Sequence, residues 1–222
     1  MRIKDVIYKS LKDAIVLEEL MPGERIIELD ITKKFNCSRG PAREAIVQLY
    51  KGGFVDLNEN KGAVVKKISA EEIANYYQLL GFLEGKVVNL ATGNLKDSDL
   101  KKLATINNSL RELDPEDPDY LDEWCVRNTA FHEVFRERCG NKIMTSTIKE
   151  VKERIYRYRY RSLLSTKNEY YIKDHEKIIE CVGRNDSESA GHEMESHILR
   201  ARDVLLRYLT IDRGGAMAET IN

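Results

Sequence analysis

The sequence predicts an all-α chain with a small β wing, divided into a short N-terminal module and a longer C-terminal antiparallel helical bundle. Three observations predict this. Apolar residues recur at helical spacing through most of the 222 residues. Only two short runs, 54–57 and 63–67, read as extended, and they flank the turn-rich stretch Asn58-Glu59-Asn60-Lys61-Gly62. The charge balance also changes near residue 68: residues 1–68 carry a net +3 and the remainder a net −4.

In order along the chain, Val6, Leu11, Ile15 and Val16 place one apolar face on a helix over 4–19, which Met21-Pro22-Gly23 breaks. A short helix follows over about 28–35, with Leu29, Ile31 and Phe35 as its apolar side. After the turn at Asn36-Cys37, Ser38 is the expected N-cap of a helix to Lys51, with Pro41 in its first turn where proline is tolerated. Gly52-Gly53 ends that helix, and the two strands and their hairpin loop come next. Ser69 is the expected cap of the first helix of the bundle. Helices are then predicted over about 70–91, 96–112, 118–138, 142–164, 169–183 and 187–210. The domains are therefore expected at 1–68 and 69–212, with a Gly- and Ala-rich flexible tail over 213–222.

Composition narrows the function classes. With 36 Lys and Arg against 37 Asp and Glu, the chain is not basic throughout, although charge is segregated by module. No apolar run reaches the roughly 18 residues of a membrane span, and the start, Met1-Arg2-Ile3-Lys4-Asp5, lacks a signal core. Cys37, Cys125, Cys139 and Cys181 are scattered without a C-x-x-C pair. This pattern fits reduced thiols and a cytoplasmic location.

Three helices and a hairpin within about 65 residues form the layout of a winged helix-turn-helix, in which the helix after the tight turn enters the DNA major groove. That helix starts Ser38-Arg39-Gly40-Pro41-Ala42-Arg43, so Arg39 and Arg43 share a face at i and i+4. Arginine reads guanine through O6 and N7, and Ser38 with the helix-start N–H groups can hold a phosphate. Lys61 and Gly62 at the hairpin tip can reach the DNA backbone. The alternative from spacing alone is that these arginines are ordinary solvated charges. The run Pro22-Gly23-Glu24-Arg25, Leu29 to Phe35, Ser38-Arg39-Gly40-Pro41-Ala42-Arg43-Glu44-Ala45-Ile46, Leu49 and Gly53-Phe54-Val55 resembles the DNA-binding domain of the GntR family of bacterial transcription regulators. The resemblance implies DNA contacts by Ser38, Arg39, Gly40, Pro41, Arg43, Lys61 and Gly62. Ala42 and Ile46 depart mildly from the family's valine and leucine. Leu29 stands where some members carry a further DNA-contacting arginine.

The four histidines all lie in the second half. His132 continues a stripe of Trp124, Asn128, Phe131 and Phe135. His175 lies among Tyr171, Ile172, Ile178, Ile179 and Val182. His197 lies among Met194, Ile198, Ala201 and Leu205, whereas His192 falls between stripe positions and points elsewhere. One inward histidine is usually a hydrogen-bonded core residue. Three on separate helices, with Asn128 meeting His132 at i and i+4, could also converge as a transition-metal site. Asn128-Thr129-Ala130-Phe131-His132, Gly140-Asn141, Asp174-His175, Asn185-Asp186, Ala190 and His197 resemble the FCD domain, the effector-binding domain of the FadR branch of that family. The resemblance implies a divalent metal (Zn²⁺ or Ni²⁺ ahead of Mn²⁺) on Asn128, His132, His175 and His197, with a small carboxylate effector at or beside it. Asn128 replaces the common aspartate and removes one negative charge. Leu80 stands where many members place an arginine, four residues before the glutamate matched by Glu84. In the helix over 142–164, Arg154, Arg157, Arg159 and Arg161 alternate with Tyr156, Tyr158 and Tyr160, which reads mainly as a solvated face.

The expected function is a homodimeric transcription regulator, read as a repressor and not an enzyme. It would bind a pseudo-palindromic double-stranded operator under control of a small organic acid, with no membrane partner. The alternative is a metal-dependent enzyme carrying a DNA-binding module. It lacks a glutamate placed as a base, because Glu133 lies off the stripe that holds His132.

Overall fold

The computed structural model describes residues 2–17, 19–58, 62–164 and 169–218, apart from the side chains of 156–164 and 210–218. Lys61 and the side chains of Tyr156, Arg157, Tyr158, Arg159, Tyr160 and Arg161 therefore lie outside the described residues. The chain forms two compact units. One is Met1–Ser69 with Lys152–Tyr158, and the other is Ala70–Val151 with Arg159–Asn222.

The first unit is a helix-turn-helix with a wing. Helix α1 (Ile3–Val16) buries Ile7, Leu11 and Ile15, a spacing of four that keeps them on one face, against α3 (Arg39–Lys51). Helix α3 answers with Ala42, Ala45, Ile46 and Leu49. The short α2 (Glu28–Lys34) precedes it and buries Ile31. Ser38 occupies the N-cap position of α3, but its hydroxyl makes no capping hydrogen bond. Strands β2 (Val55–Asn58) and β3 (Gly62–Val65) pair antiparallel, with Val55 opposite Val65 and Asn58 opposite Gly62. A third strand, β1 (Arg25–Ile26), was not expected from sequence. It pairs on the other side of β3, giving the order β1-β3-β2. Two residues are too few to show a period-2 pattern. The strand exists because Gly23, at φ +91°, turns the chain so that its N–H reaches Val65 O at 2.8 Å.

The second unit is built of α4 (Ala70–Thr92), α5 (Asp97–Arg111), α6 (Tyr120–Arg138), α7 (Lys142–Leu164), α8 (Glu169–Gly183) and α9 (Ser187–Ala218). Segment Lys152–Tyr158 of α7 groups with the first unit. Leu110 of α5, Trp124 of α6, and Tyr171 and Ile172 of α8 form a buried cluster. Asn185, at φ 57°, reverses the chain after α8. Asp186 Oδ1 then accepts from Ser189 N–H at 3.1 Å, which caps α9. Asp99 ties α5 to α6: its carboxylate accepts from Lys96 N–H at 2.9 Å and from Arg138 Nη2 at 2.9 Å. The Arg138 bond, followed by the Lys96 bond, holds the Asp99 carboxyl below the usual carboxylate range.

The last helix, expected over about 187–210, continues in α9 to Ala218. Gly214-Gly215 weakens a helix without breaking it. No proline follows, and Ala216, Met217 and Ala218 are favourable helix formers.

Helices α4 and α9 cross at contact distance. A Cβ on Gly85 would lie 2.7 Å from Gly191 O, and one on Gly191 would lie 2.9 Å from Gly85 O. Asn89 Nδ2 donates across the same crossing to Ser187 O at 3.1 Å. The two glycines thus let the helix backbones touch. Gly191→Ala is expected to cost about 1–3 kcal/mol through this overlap, despite gaining up to about 1 kcal/mol of helix propensity. Gly93→Ala meets nothing within 4 Å and should stay within about 0.5 kcal/mol of the parent. Urea unfolding of the two variants checks this, and an equal effect would contradict the close crossing.

Candidate functional site

The DNA-facing candidates lie at the start of α3. Ser38, Arg39, Gly40 and Arg43 are exposed and Pro41 is half-buried. Arg43 Nε donates to Glu28 Oε2 at 2.8 Å, and Arg39 Nε lies 3.9 Å from Glu28 Oε1. Leu29 of α2 is exposed. Gly62 opens β3 at φ +69° with open space where a Cβ would be, so backbone conformation rather than crowding requires glycine there.

The helical unit brings three of the four histidines together. His132 of α6, His175 of α8 and His197 of α9 are all buried, and one ring nitrogen from each lies within 4.8 Å of the others. Ring centroids are 4.8 Å apart for His175–His197, 5.4 Å for His132–His197 and 5.8 Å for His132–His175. His192 is exposed and is not part of this group. Asn128 is buried one helical turn before His132 on the same helix. Leu80 is buried on α4.

Each imidazole has a polar neighbour on one side. His175 Nδ1 lies 3.1 Å from Asn107 Oδ1, and Asn107 Nδ2 donates to Ile172 O at 3.2 Å. The second bond fixes the amide orientation, so Asn107 Oδ1 accepts and His175 Nδ1 carries the hydrogen. His175 Nε2 is then a lone-pair donor, buried and without a hydrogen-bond partner. His197 Nδ1 lies 3.6 Å from Asp174 Oδ2, which accepts from Arg200 Nε at 2.8 Å. His132 Nδ1 lies 3.9 Å from Glu84 Oε2, and the other oxygen of Glu84 accepts from Arg136 Nη1 at 2.8 Å. Carboxylates or amides behind histidines are the usual arrangement for orienting metal ligands.

Packing fixes the rings as well. Phe131 stacks on His175 with centroids 3.8 Å apart and planes within 10°, and Tyr171 meets His197 edge-on at 5.6 Å. Burial, with a smaller contribution from His197, pushes the His175 imidazole well below its ordinary value. Burial would raise the Asp174 carboxyl, but His197 and Arg200 beside it outweigh this and hold it below the ordinary value. A neutral imidazole with an unsatisfied Nε2 is the protonation state that a divalent transition metal requires.

Sequence reasoning missed two supporting residues. Asn107 lies between Leu103 and Leu110 at i+4 and i+7 of a buried stripe on α5, so its inward polarity was visible in the spacing. Arg136 follows His132 by one turn and is buried against Glu84 and Glu133. Glu133 itself faces outward to that arginine, and no base stands beside the histidines from that position.

Comparison with known proteins agrees with this division. Residues 75–200 match the FCD domain, and residues 3–65 match the bacterial regulatory proteins of the gntR family. The HTH-type transcriptional repressor RspR of Escherichia coli K12 is 24% identical over 197 residues, which span 88% of this chain and 86% of that one. The HTH-type transcriptional repressor GlaR of the same strain is 26% identical over 200 residues, spanning 86% and 90%. The solved structure of E. coli McbR/YncC superposes with a TM-score of 0.74 at 17% identity, covering 94% of this chain and 99% of that one. It shares the fold.

The lowered His175 value has a sign for stability. Unfolded His175 takes up a proton near pH 6.5, whereas the folded state resists protonation. Its contribution is therefore present above about pH 6.5 and is lost as pH falls below it. Urea midpoints measured in chelator should fall between pH 7 and pH 5, and fall less steeply in His175→Gln. Parallel acid slopes in the two proteins would contradict a neutral, buried His175.

Proposed function

The chain belongs to the GntR family of bacterial regulatory proteins with a C-terminal FCD domain, and from that membership we propose a metabolite-responsive repressor. Transcription regulation is its class, and the metalloenzyme alternative is set aside because its relatives are regulators. In this reading Ser38, Arg39, Gly40, Pro41, Arg43, Lys61 and Gly62 contact a pseudo-palindromic operator. Asn128, His132, His175 and His197 hold a divalent transition metal, with Zn²⁺ or Ni²⁺ ahead of Mn²⁺. When bound, the metal supplies a positive anchor for a small carboxylate effector.

The chain's own residues do the rest. Asn107 keeps the His175 Nε2 lone pair turned inward. Asp174 and Glu84 stand behind His197 and His132 and favour the orientation a ligand set needs. Asn128 offers an amide oxygen where a carboxylate would add charge, so the site should retain metal less tightly than an aspartate version. Leu80 offers an effector no charge, which leaves the anchoring of a carboxylate to the metal and its ligands. Arg136 is not a spare anion anchor, because its donors go to Glu84, Glu133 and Thr129 O. An effector bridging α6, α8 and α9 can bias helix packing. Such coupling to DNA affinity is typically about 1–3 kcal/mol and reciprocal.

A homodimer is part of the proposal. One recognition helix makes few base contacts, and two-fold pairing doubles them. Leu79 and Phe82, exposed on one face of α4, are apolar surface that a second copy can cover; sedimentation velocity reads the dimer directly. No described helix is long and apolar enough to cross a membrane, and a cytoplasmic location fits a DNA-binding regulator.

The observation that carries the metal reading is the convergence of three buried imidazoles, one with an unpartnered nitrogen. Protein purified without chelator is expected to contain Zn²⁺, Ni²⁺ or Mn²⁺ by elemental analysis. The metal should be lost in His132→Ala, His175→Ala and His197→Ala, retained in His192→Ala, and held more tightly in Asn128→Asp. Equal metal content in His175→Ala and His192→Ala would remove the site.

A further inference from the structure

One carboxylate serves both arginines of the recognition helix. Glu28 is the first residue of α2, and Arg39 and Arg43 stand one turn apart on α3. Arg43 Nε donates to Glu28 Oε2 at 2.8 Å, and Arg39 Nε lies 3.9 Å from Oε1. Each oxygen of Glu28 therefore faces a different arginine. The arginine side chains are 73% and 65% exposed, whereas the Glu28 side chain is only 28% exposed. Glu28 and Arg43 also line an open groove together with Ile46 of α3 and Leu57 and Gly62 of the hairpin.

Stability does not account for this arrangement. Ion pairs whose arginines are this exposed contribute little to stability. A carboxylate on the surface that meets DNA repels phosphate, so it lowers affinity for every duplex regardless of sequence. What Glu28 supplies is orientation. A guanidinium carries five N–H donors in a fixed plane and can meet a base either by its side edge, which includes Nε, or by its terminal fork of Nη1 and Nη2. With Nε–H committed to Glu28, the side edge of Arg43 is occupied. The terminal fork remains for guanine O6 and N7, a bidentate contact that depends on the angle of approach.

We propose that Glu28 is a positioning residue that determines base specificity: it aims the Arg43 fork and gives up sequence-independent affinity in exchange for discrimination. The proposal rests on the DNA-binding role of α3 stated above.

The test uses the full-length chain as wild type, Glu28→Ala, Arg43→Ala and the double variant. Wild type selects duplexes from a library with a randomised centre. All four proteins then compete for the selected duplex, its single-base variants and one duplex of unrelated sequence. Glu28→Ala is expected to reduce preference roughly tenfold at the base positions that depend on Arg43. Its affinity for the unrelated duplex should hold or rise. In the Arg43→Ala background, removing Glu28 should change preference no further. Glu28→Gln, which keeps the shape and an acceptor without the charge, should fall between wild type and Glu28→Ala, and it serves as the folded variant if the alanine change lowers the thermal midpoint. Unchanged base preference, a loss that persists without Arg43, or equal weakening on every duplex would overturn the role of Glu28 alone. Failure of wild type to select any sequence would overturn the DNA-reading assignment and this role with it.

Discussion

Leaving a buried polar atom without a partner costs about 1–3 kcal/mol, and the helical unit does this at His175 Nε2. The surrounding structure enforces the situation. Asn107 occupies Nδ1, Phe131 covers one ring face, and His132 and His197 stand with ring centroids 5.8 and 4.8 Å from that of His175. Lowering the imidazole's basicity keeps it from solving the problem by protonation. A cation held among the three rings would give His175 Nε2 a partner. The burial of these rings, with their amide and carboxylate supports, therefore organises the core of the helical unit.

The rest of the bundle can be understood as what places three helices at that point. The Gly85–Gly191 contact brings α9 against α4, which sets His197 and Glu84 on neighbouring helices. Asp186 starts α9 cleanly after the left-handed Asn185. The cluster of Leu110, Trp124, Tyr171 and Ile172 locks α5, α6 and α8 together beside the histidines. Asn107 reaches from α5 to both the backbone of α8 and His175, so one amide links helix position to ring orientation. In the first unit Glu28 has a comparable place: a polar side chain on one helix that accepts a hydrogen bond from Arg43 on the next.

Much of this was legible in the sequence, for physical reasons that differ by element. The helices of both units were readable because their buried faces repeat at 3.6 residues, as in Leu11, Ile15 and Val16, although Val6, expected on that face, is exposed and Ile7 is buried in its place. Strand β1 was not, since its two residues owe their pairing to β3 rather than to a local pattern. The end of α9 was misplaced because glycine lowers helix propensity without forbidding helix. His132, His175 and His197 could each be assigned to an inward stripe of its own helix, but convergence depends on how α6, α8 and α9 cross, which no local pattern encodes. Asn107 was readable in principle, between Leu103 and Leu110, and was overlooked because a polar residue there resembles a solvated one. The Glu28 pairing joins residues from two helices and has no signature in spacing.

Within a family that reads DNA, the two units divide chemistry cleanly: arginines set by one carboxylate in the first, imidazoles set by one amide and two carboxylates in the second. The claim that the second is a metal-borne effector site is tested most directly by X-ray absorption at the metal edge of nickel-loaded protein, in wild type and His175→Ala. The expected wild-type spectrum shows scattering from three imidazoles with oxygen donors completing the shell, and His175→Ala loses one imidazole. A shell of oxygen donors alone, or the same spectrum from both proteins, would contradict it.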